Sequence, residues 1–227
     1  LTPAGIERMT DLPEVTGPAI LVFPAGYGRS WNAGGCCGQA HSAGIDDTTF
    51  VSTVLQQVLK SQANADPASV YLIGFSNGGR MAYRLGCLDP GRWAGVAAVE
   101  AVPAATCAAT TPVPLVIVAN AHDPYFNLSQ PCKSIQGYQE PSMQATVDQW
   151  RGLDGCANLA SLRRLGSTTV QSWDSCRGAG EVSYALYQGS GHSWPAGQAA
   201  SPSATVLVWA LLRHDRLPLT DAAGRPA

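Results

Sequence analysis

Apolar, β-branched runs alternate along this chain with segments of helical periodicity. Such alternation is typical of an α/β fold, in which crossover helices join the strands of a mostly parallel sheet. Five runs are predicted to be strands, at 18–26 (PAILVFPAG), 69–75 (SVYLIGF), 93–102 (WAGVAAVEAV), 114–121 (PLVIVANA) and 181–188 (EVSYALYQ). Four helices are predicted at 46–63, 80–87, 144–153 and 204–214, the first with Asp46 or Asp47 as its N-terminal cap.

Length and composition fit one globular domain. The 227 residues are 45% hydrophobic and 13% charged, which is typical of a chain that buries a core. No repeat or long linker divides them, so we predict a single domain over 1–227, with a Pro-, Gly- and Ala-rich tail from about 217 that has little reason to be ordered. A net charge of −2 with scattered basic residues argues against nucleic-acid binding. No apolar run approaches the roughly 18 residues of a membrane span.

The cysteines indicate whether the protein functions inside the cell or is exported. None forms a CxxC pair, and histidines are too sparse near them to complete a zinc site, so we predict no metal and no other cofactor. Many lie in polar, Gly-rich segments, which favours disulfides in an exported protein over buried thiols. The chain begins LTPAGIE without a signal peptide, which is typical of a mature or trimmed form. We therefore expect a secreted protein, extracellular or periplasmic. The cysteines number seven, so at least one is left over: Cys36, Cys37, Cys87, Cys107, Cys132, Cys156 and Cys176.

The stretch GFSNGG (74–79) lies between a predicted strand and the helix that follows it. It fits the G-x-S-x-G pattern, in which a serine occupies a sharp strand-to-helix turn. Gly74 and Gly78 stand two residues on either side of Ser76, where we expect side chains to collide in so tight a turn. The helix N-terminus behind the serine favours developing negative charge. Ser76 is therefore the candidate nucleophile.

A serine hydroxyl is a weak nucleophile that needs a base, and the base needs an acid to orient it. His192 follows the last predicted strand and Asp123 follows the strand at 114–121, both at carboxyl ends where open parallel sheets place their sites. The order Ser76, Asp123, His192 also suits this serine motif. The alternative for Asp123 is a turn-forming role before proline. Other candidates fit less well because they lie on helices, in loops or at the surface: His41, His122, His214, Asp148, Asp154 and Asp174.

The oxyanion formed in acyl transfer needs two backbone N–H donors. We expect one from Asn77, directly after the serine, and the other from Tyr27, in the turn after the first predicted strand. The alternative is that GYGRS (26–30) is merely a flexible turn. Aromatic residues near these positions are predicted to offer flat apolar surface to an acyl chain or phenolic ring, although several could simply pack the loops. These substrate-binding candidates are Trp31, Tyr125, Phe126 and Trp194.

With these residues in place, the chain resembles the polyhydroxybutyrate depolymerase and feruloyl esterase group of α/β-hydrolases. The resemblance rests on WNAGGCCG (31–38), GIDD (44–47), GFSNGGRMAYRLGC (74–87), DP (123–124) and GHSWP (191–195). It implies an α/β-hydrolase fold and a nucleophile, acid and base at Ser76, Asp123 and His192. It also implies a disulfide between Cys156 and Cys176, and pairing of Cys36 and Cys37 with Cys87 and Cys107 in an order left open; Cys132 is the extra cysteine.

Two departures from the group concern loops beside the site. Its members usually carry His-Gly at the oxyanion strand, where this chain has Ala25 before Gly26. They also usually carry His-Gly before the acid, where Ala119 and Asn120 stand here. Neither change removes a member of the catalytic set, but both bear on loop shape.

The function predicted is a secreted serine carboxylic ester hydrolase, of the polyester-depolymerase or feruloyl-esterase type. Its substrate would be a small or polymeric ester, cleaved through an acyl-enzyme. Predicted elements use most of the chain and leave no long insertion for a lid domain, so we expect an open, shallow cleft. Two alternatives remain: a non-catalytic α/β-hydrolase-fold binding protein, and a serine peptidase or acyltransferase with the same three residues.

Overall fold

Six strands form one sheet in the computed structural model, which describes residues 1–198 and 200–215. The strand order is β1-β2-β3-β6-β5-β4. The first four strands in this order run parallel, and β5 and β4 complete the sheet antiparallel. The mostly parallel sheet predicted from the sequence is therefore confirmed. The strands are β1 (Tyr71–Phe75), β2 (Gly95–Val99), β3 (Leu115–His122), β4 (Ser161–Leu165), β5 (Thr168–Trp173) and β6 (Val182–Ser190).

The four predicted helices are all present, and side chains cap the N-termini of three of them. Asp46 accepts a hydrogen bond from the Thr49 N–H at 3.0 Å, and Ser142 and Ser203 cap two later helices in the same way. Two further helices near the N-terminus and a short one before Asp46 lie outside the predicted elements. The α-helices described are α1 (Pro3–Thr10), α2 (Leu12–Thr16), α3 (Gly38–Ser42), α4 (Asp47–Ser61), α5 (Asn77–Leu88), α6 (Met143–Asp154) and α7 (Ala204–Leu212).

The core consists of two apolar layers, one on each face of the sheet. Val96 and Ala98 of β2 belong to the layer that includes Tyr83 of α5 and Trp150 of α6. Ala97 and Val99, the alternate residues of β2, belong to the layer on the other face of the sheet, which α7 covers. Because both faces are covered, the central strands read as continuous apolar runs and not as alternating ones. Within the described residues no helix combines the length and apolarity needed to cross a bilayer.

The predicted strand at 18–26 is wrong, because this segment has no hydrogen-bonded neighbour in the sheet. β1 pairs with β2 alone, and Ile20 and Val22 are 42% and 46% exposed. A cavity of about 940 Å³, lined among others by Ile20 and Leu72, lies between the segment and β1. An apolar run indicates burial, but a strand also requires a partner, which the run cannot reveal.

The antiparallel pair of β4 and β5 is not among the predicted elements. Their two-residue connection, Gly166-Ser167, gives φ +59° at the glycine. A glycine-containing two-residue connection between β-rich runs is a recognised hairpin signal. The signal was therefore present in SLRRLGSTTVQSW (161–173). The tail predicted from about 217 lies outside the described residues.

The structure contains three disulfides, and one pairing differs from the expectation. Cys156 bonds Cys176, as predicted. Cys87 bonds Cys107, so neither is available to Cys36 or Cys37, which bond each other. The expected cross-pairing is therefore corrected, and Cys36 packs in a small buried cluster with Ala33 and Ala104. Cys132 is free and buried.

Removing the Cys156–Cys176 bridge should lower the free energy of unfolding by about 3 kcal/mol. The two cysteines are 20 residues apart in sequence, and the chain-entropy relation gives that value for a loop of this size. Urea unfolding of Cys156→Ala/Cys176→Ala against the parent, with peptide mapping under non-reducing conditions, measures it. Two free thiols at these positions in the native protein would contradict the pairing.

Candidate active site

Ser76 occupies a sharp turn between β1, which ends at Phe75, and α5, which begins at Asn77. Its φ of +53° is a conformation that non-glycine residues rarely adopt. A side chain at Gly74 would collide with the Gly78 carbonyl, and one at Gly79 would lie 2.6 Å from the Ala101 Cβ. A side chain at Gly78 would meet open space. The turn therefore requires Gly74 and Gly79, and the expected collision at Gly78 is corrected.

Three residues from distant parts of the chain form one hydrogen-bonded series. The His192 ring places Nε2 2.7 Å from the Ser76 Oγ and Nδ1 2.7 Å from the Asp123 Oδ2. The other oxygen of Asp123 accepts hydrogen bonds from the N–H groups of Tyr125 and Phe126, at 2.6 and 3.1 Å. With a proton on Nδ1, His192 donates to Asp123 and can accept the Ser76 hydroxyl proton at Nε2. The structure thus brings together the three residues predicted from the sequence.

Parallel strands explain why these residues meet. Ser76, Asp123 and His192 follow β1, β3 and β6, whose carboxyl ends lie at the same edge of the sheet. The side-chain amide of Asn120, in β3, donates to the carbonyls of Gly191 and Ser193 at 3.3 and 3.2 Å. Asn120 therefore holds the loop on both sides of His192. Asn120 therefore supports the site at a position where the sequence departs from the group that it resembles.

Two acidic side chains lie beside each other at this edge. Burial alone would raise the pKa of the Asp123 carboxyl, but the neighbouring Glu100 carboxyl, His192 and the Tyr125 N–H outweigh it and lower that pKa below its ordinary value. Asp123 is thereby kept as a carboxylate. Glu100 is fully buried, and burial followed by the nearby Asp123 raises its pKa to about 10. Glu100 was not among the predicted site residues, although it is the one charged residue in WAGVAAVEAV (93–102).

Aromatic rings surround His192 on three sides. The rings of Phe75, Tyr125 and Phe126 have centroids 5.1, 4.9 and 5.6 Å from the imidazole. Tyr125 is 65% exposed and fits the predicted place at the cleft rim. The expectation for Phe126 and Trp194 is corrected, because they are only 4% and 6% exposed and pack inside. The Trp194 indole N–H donates to the Thr205 hydroxyl at 2.9 Å, which ties the His192 loop to α7.

The predicted oxyanion donors lie on two different elements, the first turn of α5 and a short turn that follows Gly26. Asn77 is the first residue of α5, so its N–H has no intrahelical acceptor. Its side chain bonds both the N–H and the carbonyl of Trp31, at 2.7 and 2.9 Å, and so fixes the neighbouring loop. Tyr27 begins a short 3₁₀ turn, Tyr27–Arg29, directly after Gly26. Gly26, Trp31, Ser76 and Asn77 line the same cavity.

The remaining histidines and aspartates make contacts elsewhere. His41 lies 3.2 Å from the Asn32 side-chain oxygen, and the exposed His214 pairs with Glu181. Asp148 pairs with Arg151 on the surface of α6. Asp154 is buried near the amino end of β3, where burial raises its pKa to about 7. His122 and Asp174 are exposed.

Comparisons with known proteins add relatives named as esterases. No family model matches the chain. It is 28% identical to feruloyl esterase B of Piromyces equi over 191 residues, 77% of this chain and 34% of that protein. It is 34% identical to the putative esterase NocK of Nocardia uniformis subsp. tsuyamanensis over 107 residues, 46% of this chain and 31% of that protein. The chain thus spans about a third of the length of these two relatives.

The fold comparison covers nearly the whole chain. A crystal structure of a single-residue variant of Arabidopsis thaliana SOBER1 superposes with a TM-score of 0.59 and 14% identity, covering 94% of each chain. At this identity the likeness bears on the fold alone. Together with the mostly parallel sheet and the strand-to-helix turn at Ser76, it shows that the chain has an α/β-hydrolase fold.

Proposed function

We propose that this protein is a serine carboxylic ester hydrolase. The observation that carries the proposal is the continuous series from Ser76 Oγ through His192 to Asp123, with 2.7 Å at each contact. A hydroxyl, an imidazole and a buried carboxylate in this geometry are what nucleophilic acyl transfer requires. The names of the two relatives support an ester as the substrate class.

The mechanism follows from the positions of the atoms. Ser76 Oγ attacks the ester carbonyl carbon while its proton passes to His192 Nε2. His192 then gives that proton to the leaving alcohol oxygen, and the ester bond breaks to form an acyl-serine. Water repeats the sequence, with His192 taking its proton and returning it to Ser76 Oγ as the acid leaves. The Asp123 carboxylate orients the ring and stabilises the imidazolium formed in each half.

The N–H groups of Asn77 and Tyr27 are the proposed donors to the developing oxyanion. Asn77 N–H lies at the N-terminus of α5, where the aligned backbone dipoles favour negative charge. The second donor depends on the turn at Gly26, where an added side chain would collide with the Ser30 carbonyl. The glycine therefore lets the turn that carries Tyr27 close beside Trp31.

We further propose that the substrate carries an aromatic or hydroxyalkanoic acyl group. Tyr125 presents an exposed ring against His192, and the partly buried Trp31 stacks with Phe50 at 6.3 Å between ring centroids. These rings offer apolar surface beside the serine. Hydrolysis of p-nitrophenyl acetate, methyl ferulate, a hydroxybutyrate oligomer and a matched peptide tests the class. Cleavage of the peptide alone, or of no ester, would overturn it.

Alanine at Tyr125 should reduce kcat/KM for aromatic or oligomeric esters about tenfold while sparing acetate esters. The ring is exposed beside His192, so its loss removes surface that only the larger acyl groups can use. Trp194→Ala is the matched comparison, because its buried ring supports the His192 loop and its loss should lower every rate alike. Steady-state kinetics on the ester panel distinguishes them. An equal loss on all esters in Tyr125→Ala would contradict the rim role.

We also propose that the protein functions outside the reducing cytoplasm. The three disulfides support this, since such bonds persist in oxidising compartments.

An open active site is proposed as well. Only 15 residues connect β2 to β3, which leaves no room for a lid there.

A further inference from the structure

Glu100 is a buried acid without a hydrogen-bond donor. It directly follows β2, with φ +48° and no exposed surface. Among the described residues, no group donates a hydrogen bond to either of its carboxyl oxygens. A buried carboxylate left without donors is strongly unfavourable, so its presence here requires a cause.

The neighbours of Glu100 indicate that cause. Single carboxyl oxygens of Glu100 and Asp123 and a ring nitrogen of His192 lie within 4.8 Å of one another. Tyr184, on β6, is also nearby, since burial, followed by Glu100, raises the pKa of its phenol. No cation among these groups is free to pair with Glu100, because His192 uses one ring nitrogen for Asp123 and the other for Ser76. Two adjacent buried carboxylates cannot both ionise cheaply.

The two carboxyl groups are placed in unlike surroundings. Asp123 receives two backbone N–H groups and the imidazole, all of which favour its charge. Neither Glu100 oxygen accepts a hydrogen bond of normal geometry. The nearby Asn120 backbone N–H lowers the pKa of Glu100, but burial, followed by the nearby Asp123, outweighs it and raises that pKa to about 10. The proton shared between them at neutral pH therefore belongs to Glu100. A protonated Glu100 is a donor, and the oxygens of Asp123 are the acceptors beside it.

We propose that Glu100 is a neutral carboxylic acid whose O–H donates to Asp123 and thereby positions the carboxylate that orients His192. Glu100 has no exposed surface with which to meet a substrate, and its carboxyl group forms no hydrogen bond with Ser76, so it is a positioning residue. Its effect on turnover rests on the proposed ester hydrolysis, but its proton and its contact with Asp123 do not. Glutamine can also donate to Asp123 and has nearly the same shape, whereas methionine has the shape without the donor.

The protonation state is tested without any substrate. Infrared spectra at pH 8 should contain a carbonyl-stretch band of a protonated carboxylic acid that is absent from Glu100→Gln. Asp154→Asn is the matched control, since it removes another buried carboxyl, near the opposite end of β3, and should leave the band in place. Absence of the band from the parent protein would overturn the proposal.

Stability against pH provides a second measurement that is independent of activity. The folded protein holds the Glu100 proton up to about pH 10, while the unfolded chain loses it near the ordinary value of 4.5. Between these values the unfolded state binds fewer protons, so this group makes the fold less stable as pH rises. Urea unfolding at pH 5 and pH 9 should therefore show a smaller loss in Glu100→Gln than in the parent. Parallel losses in the two proteins would contradict a neutral Glu100.

Kinetics then tests the positioning role. Glu100→Gln should keep kcat within about threefold and leave the pH profile unchanged. Glu100→Met should lower kcat about tenfold or more and leave KM unchanged. The reason is that it removes the proposed hydrogen bond to the Asp123 carboxylate, a charged group that does not contact the substrate. The acidic limb of its kcat/KM profile should move to higher pH, because Asp123 without this donor holds the imidazolium more strongly.

The outcomes separate the two proposals. Equal damage in Glu100→Gln and Glu100→Met, or full activity with an unmoved profile in Glu100→Met, would overturn the positioning role. The low-field proton resonance of the His192–Asp123 hydrogen bond should shift in Glu100→Met and not in Glu100→Gln, even where Glu100→Met is too unstable for kinetics at 37 °C. Failure of the parent protein to hydrolyse any ester would instead reject the proposed function and leave the infrared and resonance tests standing.

Discussion

Alanine in place of Ser76 is expected to lower kcat/KM for ester hydrolysis by about 10⁴-fold or more while leaving the fold intact. The substitution removes the hydroxyl oxygen, which lies 2.7 Å from the His192 Nε2. The backbone of the turn should persist, because the Ser76 N–H bonds the Val99 carbonyl and the Ser76 carbonyl accepts from Arg80, contacts that alanine can also make. Steady-state kinetics and thermal unfolding of the two proteins measure both parts of the expectation.

A covalent probe identifies the nucleophile directly. A fluorophosphonate should label the parent protein at Ser76, located by peptide mass spectrometry, and should not label Ser76→Ala. Ser42→Ala is the matched control, since Ser42 is an exposed serine whose hydroxyl bonds only its own helix backbone, at Gly38. Labelling of another serine, or near-parental activity in Ser76→Ala, would contradict the assignment and favour the binding-protein alternative.

Local sequence signals predicted the parts of the site that depend on one segment each. The strand-to-helix turn at Ser76 is encoded by glycines within three residues of it, and Asp123 and His192 each follow an apolar run that became a strand. The order of these residues along the chain and the parallel sheet then bring them to one edge. The geometry of each segment is largely local, and for that reason the pattern of the sequence was sufficient.

The parts that could not be predicted depend on partners far away in the chain. The run at 18–26 is as apolar as a strand. Its sequence does not show, however, whether a neighbouring strand forms backbone hydrogen bonds with it, and in the structure none does. Asn120 and Glu100 lie inside apolar runs, and only the folded structure shows that one holds the His192 loop and the other meets Asp123. The aromatic residues show the same limit: closeness in sequence to the site could not distinguish the exposed Tyr125 from the buried Trp194.

The ion pair of Arg80 and Glu140 is a further contact between distant parts of the chain. It links α5, which follows Ser76, to the segment between β3 and α6, which contains Asp123 and Glu140. The two side chains form a bidentate pair, at 2.6 and 2.8 Å, and are 9% and 4% exposed. Arg80 also lies over the Phe126 ring, 5.0 Å from its centroid, and that ring contacts His192. Arg80 is one helical turn after Ser76 and donates its N–H to the Ser76 carbonyl. The pair therefore joins both ends of the hydrogen-bonded series.

Leucine at Glu140 should lower the free energy of unfolding by about 3–5 kcal/mol, because it leaves the Arg80 guanidinium buried without its counter-charge. For a chain of this size the melting temperature should fall by about 10 °C. Activity at 25 °C should fall as well, since Glu140 would no longer hold the Arg80 guanidinium over the Phe126 ring and the loop that carries Asp123 would loosen. Urea unfolding followed by fluorescence, together with ester kinetics on the same samples, measures the two effects.

The comparison that isolates the buried charge is the double variant Arg80→Met/Glu140→Leu. It replaces both partners with apolar side chains of similar size, so it should recover most of the stability lost in Glu140→Leu, as is common when a buried ion pair is replaced whole. Asp89→Ala breaks the exposed pair with Arg92 and should cost at most about 1 kcal/mol, because solvent screens that pair. A loss in Glu140→Leu no greater than in Asp89→Ala, or no recovery in the double variant, would show that the pair does not hold the loop by the mechanism described.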